Sequence, residues 1–112
     1  MPKSVPRSYS QYTQEALTLL AGLIRAERIE RHMTAQEVAE RAGISRSMLQ
    51  RIEKADAKCE IGAVFEVATI VGVKLFNLDS AALSRELKHV EMKLSLLPQK
   101  ARKATTVVDD NF

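Results

Sequence analysis

The stretch that decides the fold is "RAGISRSMLQRIEK", residues 41–54. It places a glycine between two short segments whose apolar residues recur every three or four positions, the spacing of an amphipathic α-helix. Gly43 stands where a helix commonly ends, because glycine adopts the left-handed conformation without a steric penalty. Ser45 is of a residue type that commonly caps the start of a helix. The stretch therefore predicts two short helices joined by a tight turn at Gly43 and Ile44.

A capping box starts the first of these helices. Thr34 and Glu37 are three residues apart, the spacing at which each side chain accepts a hydrogen bond from the other residue's free backbone N–H. The helix that begins at Ala35 therefore has a defined start as well as a defined end. Its predicted inner face consists of Val38, Ala39 and Ala42.

The second helix has two faces of different chemistry when successive residues are placed about 100° apart around its axis. Its apolar face contains Met48, Leu49 and Ile52, and Glu53 lies at the boundary. Its opposite face spans about 140° and holds five side chains without a carboxylate: Arg46, Ser47, Gln50, Arg51 and Lys54. Such a face suits the major groove of DNA, where arginine bonds guanine and glutamine bonds adenine. The alternative is an ordinary solvated face that lacks acids by chance.

Composition and charge bound the class of protein. The 112 residues are 46% hydrophobic, with four Gly, three Pro and no Trp, a balance typical of helices packed on helices in one all-α domain. The net charge of +3 is too small to indicate nucleic acid unless the charges are concentrated on one face. We expect a soluble protein, because the apolar run at 17–24 is far shorter than the roughly 20 residues of a membrane span. The single cysteine, Cys59, excludes an internal disulfide framework and fits the reducing cytoplasm.

The chain divides into four predicted parts. Residues 1–12 combine prolines, serines and basic side chains without helical spacing, which predicts a flexible basic arm. Residues 13–79 hold four helices and form the domain that contains the two-helix unit. Residues 80–97 form a fifth, extended helix that Pro98 ends, and residues 98–112 form a flexible tail.

Two of the four helices flank the central pair. Apolar spacing predicts helix one from Thr13 to about Arg31. Helix four follows the pair and ends at Gly72. Its predicted inward positions are Ile61, Val64, Phe65, Ala68 and Val71.

Residues 20–54, "LAGLIRAERIERHMTAQEVAERAGISRSMLQRIEK", resemble the Cro and phage-repressor type of helix-turn-helix family. The family form is L-G-x-x-I-R-x-x-R, then L-T-Q-x-x-L-A, then G-(I/V)-S, then (I/L)-E. The resemblance implies a lambda-repressor-like five-helix fold and a DNA-binding repressor, and a dimer would match a palindromic operator. The base-reading positions of the family correspond to Arg46, Ser47, Gln50 and Arg51. We expect Ser45 and Lys54 beside them, with Lys54 near a phosphate.

The resemblance also implies an ion pair and shows two departures. The family pairs an arginine of helix one with the glutamate that ends the recognition helix, here Arg28 and Glu53. Its phosphate-gripping glutamine is replaced by Ala35, so that contact passes to Gln36, which points about 100° away from the expected direction. His32 stands where the family ends helix one with glycine, and we expect it to accept a strained backbone there.

The C-terminal part predicts protein partners. Residues 53–79, with the leucine helix that follows, are similar to HipB-like antitoxins, which repress their own operon and bind a HipA-like kinase toxin. In helix five a stripe recurs at steps of four, three, four and three: Leu83, Leu87, Val90, Leu94 and Leu97. It either packs back onto helices one and four or forms a homodimer. In the tail, Asp109, Asp110 and Phe112 either contact a partner or belong to an ordinary disordered end.

An enzyme is disfavoured, and no cofactor or metal is predicted. The sequence has no glycine-rich phosphate loop and no nucleophile with a nearby base. Cys59, His32 and His89 share no metal-ligand spacing. Cys59 beside Lys58 is either a reactive thiol or a bystander. Two functions therefore stay open: a DNA-binding repressor associated with the nucleoid, and an antitoxin that acts mainly through protein binding.

Overall fold

The computed structural model describes residues 8–101 and residue 103, and its secondary structure is helical throughout that part of the chain. The five helices are α1 (Gln11–Glu30), α2 (Ala35–Ala42), α3 (Arg46–Glu53), α4 (Ile61–Val71) and α5 (Ser80–Leu96), with a short 3-10 turn at Leu75–Asn77. The described residues contain no strand. The predicted all-α fold with five helices is confirmed.

The hydrophobic core is built by α1 to α4 together. It contains Ile24 from α1, two residues each from α2 and α3, and three from α4: Val38, Ala39, Leu49, Ile52, Val67, Ala68 and Val71. The short helices α2 and α3 lie against each other, while α2 also packs on α4 and α1 packs on both α3 and α4. Helices of eight residues are unstable alone in water, so α2 and α3 depend on this core for their stability.

The turn between α2 and α3 forms as the sequence predicts. Gly43 has a φ of 68°, which places it in the left-handed region and ends α2. The Ser45 hydroxyl oxygen then accepts a hydrogen bond from the Met48 backbone N–H at 3.0 Å and starts α3. At the other end of α2 the capping box is complete, with bonds of 2.8 and 3.0 Å between Thr34 and Glu37. The backbone N–H of Thr34 lowers the pKa of the Glu37 carboxyl.

Three boundaries or positions differ from the sequence predictions. Helix α1 begins at Gln11 and takes residues 11–12 from the predicted arm, because the Ser10 hydroxyl caps it by accepting from the Thr13 N–H at 3.2 Å. Helix α5 ends at Leu96 rather than Leu97, since the residue before a proline is pushed to an extended backbone. Ile61 is 69% exposed, because the first turn of α4 lies outside the buried core.

Two predicted backbone features, at His32 and Gly72, are found in the structure, whereas predictions for both ends of the chain concern residues outside the described part. His32 has a φ of 57° after the end of α1, which is the strained backbone predicted for it. Gly72 ends α4 with a φ of 91°. Residues 1–7 of the predicted arm lie outside the described residues, as do the tail positions Asp109, Asp110 and Phe112.

The chain divides into two compact units after Asn77. The first unit carries α1 to α4 and the core. In the second unit, α5 is capped by Asp79, whose carboxylate accepts from the Ala82 N–H at 2.8 Å, and it contains no buried residue. The predicted stripe of α5 is 41% to 63% exposed: Leu83, Leu87, Val90, Leu94 and Leu97.

An ion pair joins α1 to α3. Arg28 Nε donates to Glu53 Oε2 at 2.6 Å, and Arg28 Nη2 donates to Oε1 at 3.1 Å. The third nitrogen, Nη1, donates to the Met33 carbonyl at 3.1 Å in the turn before α2. The side chains of Arg28 and Glu53 are only 14% and 11% exposed. The hydrogen bond with Glu53 raises the pKa of Arg28, so the guanidinium stays charged, and the pair sets the position of α3 against α1.

We expect Glu53→Ala to lower the free energy of unfolding by about 3–5 kcal/mol, because the substitution strands the Arg28 charge in a mostly buried place. Urea denaturation measured by circular dichroism gives this value. The matched control is Glu27→Ala, which removes the partner of Arg31 from an ion pair whose side chains are 36% and 55% exposed. The control should lose less than about 1 kcal/mol. Equal losses in the two variants would show that the Arg28–Glu53 pair has no special structural role.

Candidate nucleic-acid interface

The outer face of α3 presents donors and cations to solvent. Arg46, Ser47, Gln50 and Lys54 are exposed, as is the capping residue Ser45, and Arg51 is partly exposed. The one carboxylate of α3, on Glu53, is largely buried and neutralised by Arg28. The exposed face of α3 therefore carries no exposed acid, which is the electrostatic condition for close approach to phosphates.

A cleft runs between α3, the start of α2 and α1. It is lined by Arg25, Arg28, Ala35, Arg46, Gln50, Glu53 and Lys54. Three of these side chains are predicted DNA-contacting residues, four positions apart along α3 and its C-cap: Arg46, Gln50 and Lys54. Two of them, Arg46 and Lys54, are cations. The cleft brings a third exposed cation, Arg25 of α1, to the same place. Three cations along one groove form a concentrated positive surface that the net charge of the chain does not reveal.

Arg25 is the residue of this cleft that sequence reasoning missed as a candidate contact. Its side chain is 64% exposed, and its Nε lies 4.0 Å from Glu53 Oε1. The helical period places Arg25 on α1 but says nothing about which other helix α1 lies beside. The only sequence signal was its fit to the family pattern at a position with no assigned role. Its location depends on the packing of α1 against α3.

Gln36 is not among the side chains that line the cleft. Its amide Nε2 donates to Glu40 Oε2 at 3.0 Å on the exposed surface of α2. The cleft is lined instead by Ala35, at the position where the family has its phosphate-gripping glutamine. A methyl group there offers no hydrogen bond to a phosphate.

Arg51 has a protein partner that the sequence analysis missed. Its Nε donates to Asp56 Oδ2 at 2.8 Å. This hydrogen bond lowers the pKa of the Asp56 carboxyl, and Asp56 raises the pKa of Arg51. The pair therefore stays charged throughout the neutral range. The two residues are five positions apart across the end of α3, where helical spacing no longer predicts neighbours.

Residues 24–76 match a family model described as helix-turn-helix. Within this segment, α2, the turn at Gly43 and α3 have the order of a helix-turn-helix. The match begins in α1 and ends in the 3-10 turn, so it includes α2, the turn at Gly43, α3 and α4. It supports the resemblance to the Cro and phage-repressor family and a role as a DNA-binding transcriptional regulator. Comparisons with curated proteins and with solved structures found no match.

The described residues give little support to a reactive thiol, a metal site or a membrane span. Burial raises the pKa of the Cys59 thiol, which disfavours the reactive thiolate. Within residues 8–101, no three His, Cys, Asp or Glu side chains are grouped so that they could hold a metal ion. None of the described helices combines the length and the apolar character needed to cross a membrane.

We expect Arg46→Ala and Gln50→Ala to lower affinity for a specific duplex by about 1–3 kcal/mol each, since each removes a pair of hydrogen bonds to one base. We expect Lys54→Ala to weaken binding to all duplexes alike and to reduce the slope of affinity against salt by about one. Fluorescence anisotropy at two salt concentrations, with a specific and a scrambled duplex, measures both effects.

The control for these variants is Lys74→Ala. It removes one exposed positive charge from the same domain, at a position that does not line the cleft. The control should bind both duplexes nearly as the unchanged protein does. If Arg46→Ala weakened specific and scrambled binding equally, Arg46 would contact the DNA backbone alone and its assignment to a base would be wrong.

Proposed function

We propose that the protein is a sequence-specific transcriptional repressor that binds a palindromic operator as a homodimer. The observation that carries this proposal is the outer face of α3, which is exposed and free of exposed carboxylates. The Arg28–Glu53 pair fixes that face relative to the rest of the domain. The helix-turn-helix match over residues 24–76 supports the same function.

The proposed roles of the side chains follow from their chemistry and position. Arg46 and Gln50 each bond two atoms of one base edge, and Ser47 adds a single bond. Lys54 and Arg25 contact phosphates on the flanks of the cleft. Ser45 contributes its hydroxyl proton to a phosphate, because its oxygen is already occupied as the cap of α3. We also propose that Arg51 contacts a base and that Gln36 contacts a phosphate.

The fluorescence anisotropy titration with a specific and a scrambled duplex also tests the proposed repressor function. For this test the specific duplex is taken from the DNA upstream of the protein's own gene. A repressor of its own operon binds that DNA far more tightly than the scrambled duplex, and the ratio survives at the higher salt concentration. Equal affinities at both salt concentrations would leave only electrostatic attachment and would overturn the proposal. On this proposal the protein acts in the cytoplasm, associated with the nucleoid.

The homodimer is proposed to form through α5. A helix of this length is marginal in water without a packed apolar face. The stripe of α5 has two heptads of coiled-coil spacing and no buried residue. Pairing of two such stripes would cover it, and a dimer would present two copies of α3 about 34 Å apart, one turn of DNA. Packing of the stripe on the chain's own domain is the competing arrangement.

We expect Leu87→Glu to convert the protein to a monomer, because a carboxylate in the middle of the stripe cannot be buried between two copies. Sedimentation equilibrium measures the oligomeric state, and anisotropy measures the loss of affinity for a full palindrome relative to a half-site. The control is Met92→Glu, which puts the same charge on the opposite face of α5, where Met92 is 67% exposed. A monomer in the unchanged protein, or a dimer in Leu87→Glu, would contradict pairing through the stripe.

A second proposed role is that of an antitoxin that neutralises a HipA-like kinase toxin. Its support is the similarity of residues 53–79 to HipB-like antitoxins together with apolar side chains of α5 that lie outside the stripe. Met92 and Leu96 are 67% and 81% exposed, and exposed apolar groups in number commonly mark a protein contact. DNA contact through α3 and toxin contact through the C-terminal part are compatible in one molecule.

Two variants separate the roles. We expect Arg46→Ala combined with Arg51→Ala to abolish specific operator binding and to leave inhibition of a kinase toxin encoded beside the gene unchanged. We expect removal of residues 99–112 to weaken toxin inhibition. Operator binding by anisotropy and autophosphorylation of the kinase provide the two measurements. A kinase that the unchanged protein neither binds nor inhibits would leave the chain as a regulator without a toxin partner.

A further inference from the structure

Arg51 is held from one side by a carboxylate that follows α3. Arg51 Nε donates to Asp56 Oδ2 at 2.8 Å, and the Arg51 side chain remains 43% exposed. A guanidinium has five N–H donors, of which Nε provides one. Of the polar contacts that the structure gives Arg51, only this one uses its guanidinium. The four donors on the two terminal nitrogens are therefore available to a ligand.

Asp56 is itself fixed in place. Its Oδ1 accepts from the Lys58 backbone N–H at 2.9 Å, and its own N–H donates to the Arg51 carbonyl at 3.0 Å. The chain reverses at Ala55, a non-glycine residue with a φ of 62°. A residue with a Cβ in this left-handed region is strained, so the surrounding contacts hold the turn. Both oxygens of the Asp56 carboxylate are occupied, one by the backbone and one by Arg51.

The pairing of Arg51 with Asp56 has opposite effects on the affinity for any duplex and on the discrimination between sequences. A carboxylate beside the outer face of α3 repels phosphates and lowers affinity for every duplex. A guanidinium that is already oriented loses less side-chain freedom when it bonds a base. The carboxylate therefore lowers the affinity for every duplex and increases the discrimination between sequences.

We propose that Asp56 is a positioning residue that sets the specificity of the interface, by holding Arg51 with its terminal nitrogens directed to one base. The base that offers two acceptors on one edge of the major groove is guanine, through O6 and N7. The inference rests on the proposed function, because it assumes that α3 contacts base edges. It adds a residue outside α3 to the set that decides which sequence is bound.

The test is Asp56→Asn in the full chain. In the carboxylate, Oδ1 accepts from the Lys58 N–H and Oδ2 accepts from Arg51 Nε. Asparagine replaces one of these oxygens by an NH2 group, which only donates; with the turn retained through Oδ1, the group that faces Arg51 Nε can no longer accept, and the support of Arg51 is lost. We expect affinity for a scrambled duplex to stay the same or rise. We expect the ratio of specific to scrambled affinity to fall about tenfold, part of the discrimination of one bidentate contact. The loss should appear at a single guanine when each operator position is replaced in turn.

The matched control is Asp79→Asn, which removes the same charge where Asp79 caps α5 and where asparagine caps equally well. It should leave the ratio unchanged. In an Arg51→Ala background, Asp56→Asn should cause no further loss of discrimination, because no arginine remains to be positioned. An unchanged ratio in Asp56→Asn, or an equal loss in the Arg51→Ala background, would overturn the inference. The proposed function fails separately, if the unchanged protein binds the specific and the scrambled duplex with equal affinity at both salt concentrations.

Discussion

Arg28 and Glu53 form the contact on which the geometry of the domain depends. The guanidinium bonds both oxygens of the carboxylate and the carbonyl of Met33, so one side chain joins α1, α3 and the turn that leads to α2. Both charges are largely shielded from water, where an unpaired charge is costly. The same pairing removes the only acid of α3 from the exposed face of that helix, which we propose contacts DNA. Stability and the electrostatics of the interface therefore depend on a single pair.

The eight residues of α3 form a buried face that packs in the core and an exposed face that we propose reads DNA. Leu49 and Ile52 are buried in the core, and the helix cannot rotate without exposing them, so the opposite face has a fixed direction. The Ser45 cap and the left-handed Gly43 fix where the helix begins. The Asp56 carboxylate then supports one of the exposed side chains from beyond the helix end. A rigid presentation of this kind lowers the entropy lost on binding.

The second unit of the chain has a different physical character. The first unit buries an apolar core shared by four helices, whereas α5 has a capped start, a proline-terminated end and no buried residue. A helix of this length is marginal in water without a packed apolar face, and an exposed leucine stripe commonly marks a surface for association. The function proposed for this unit is therefore association, with a second copy or with another protein. The two proposed roles, DNA binding and association, therefore belong to separate parts of the chain.

The sequence by itself determined the presence of five helices, the caps of α2 and α3 and the polar face of α3, because Thr34, Gly43, Ser45 and the apolar spacing act over three or four residues. The family pattern also indicated the pair of Arg28 with Glu53, at a separation that no local rule reaches. Only the tertiary structure placed Arg25 in the cleft and Asp56 against Arg51, and it left Gln36 outside. Those neighbours depend on how helices pack and where the chain reverses, and helical periodicity carries no information about contacts between separate elements.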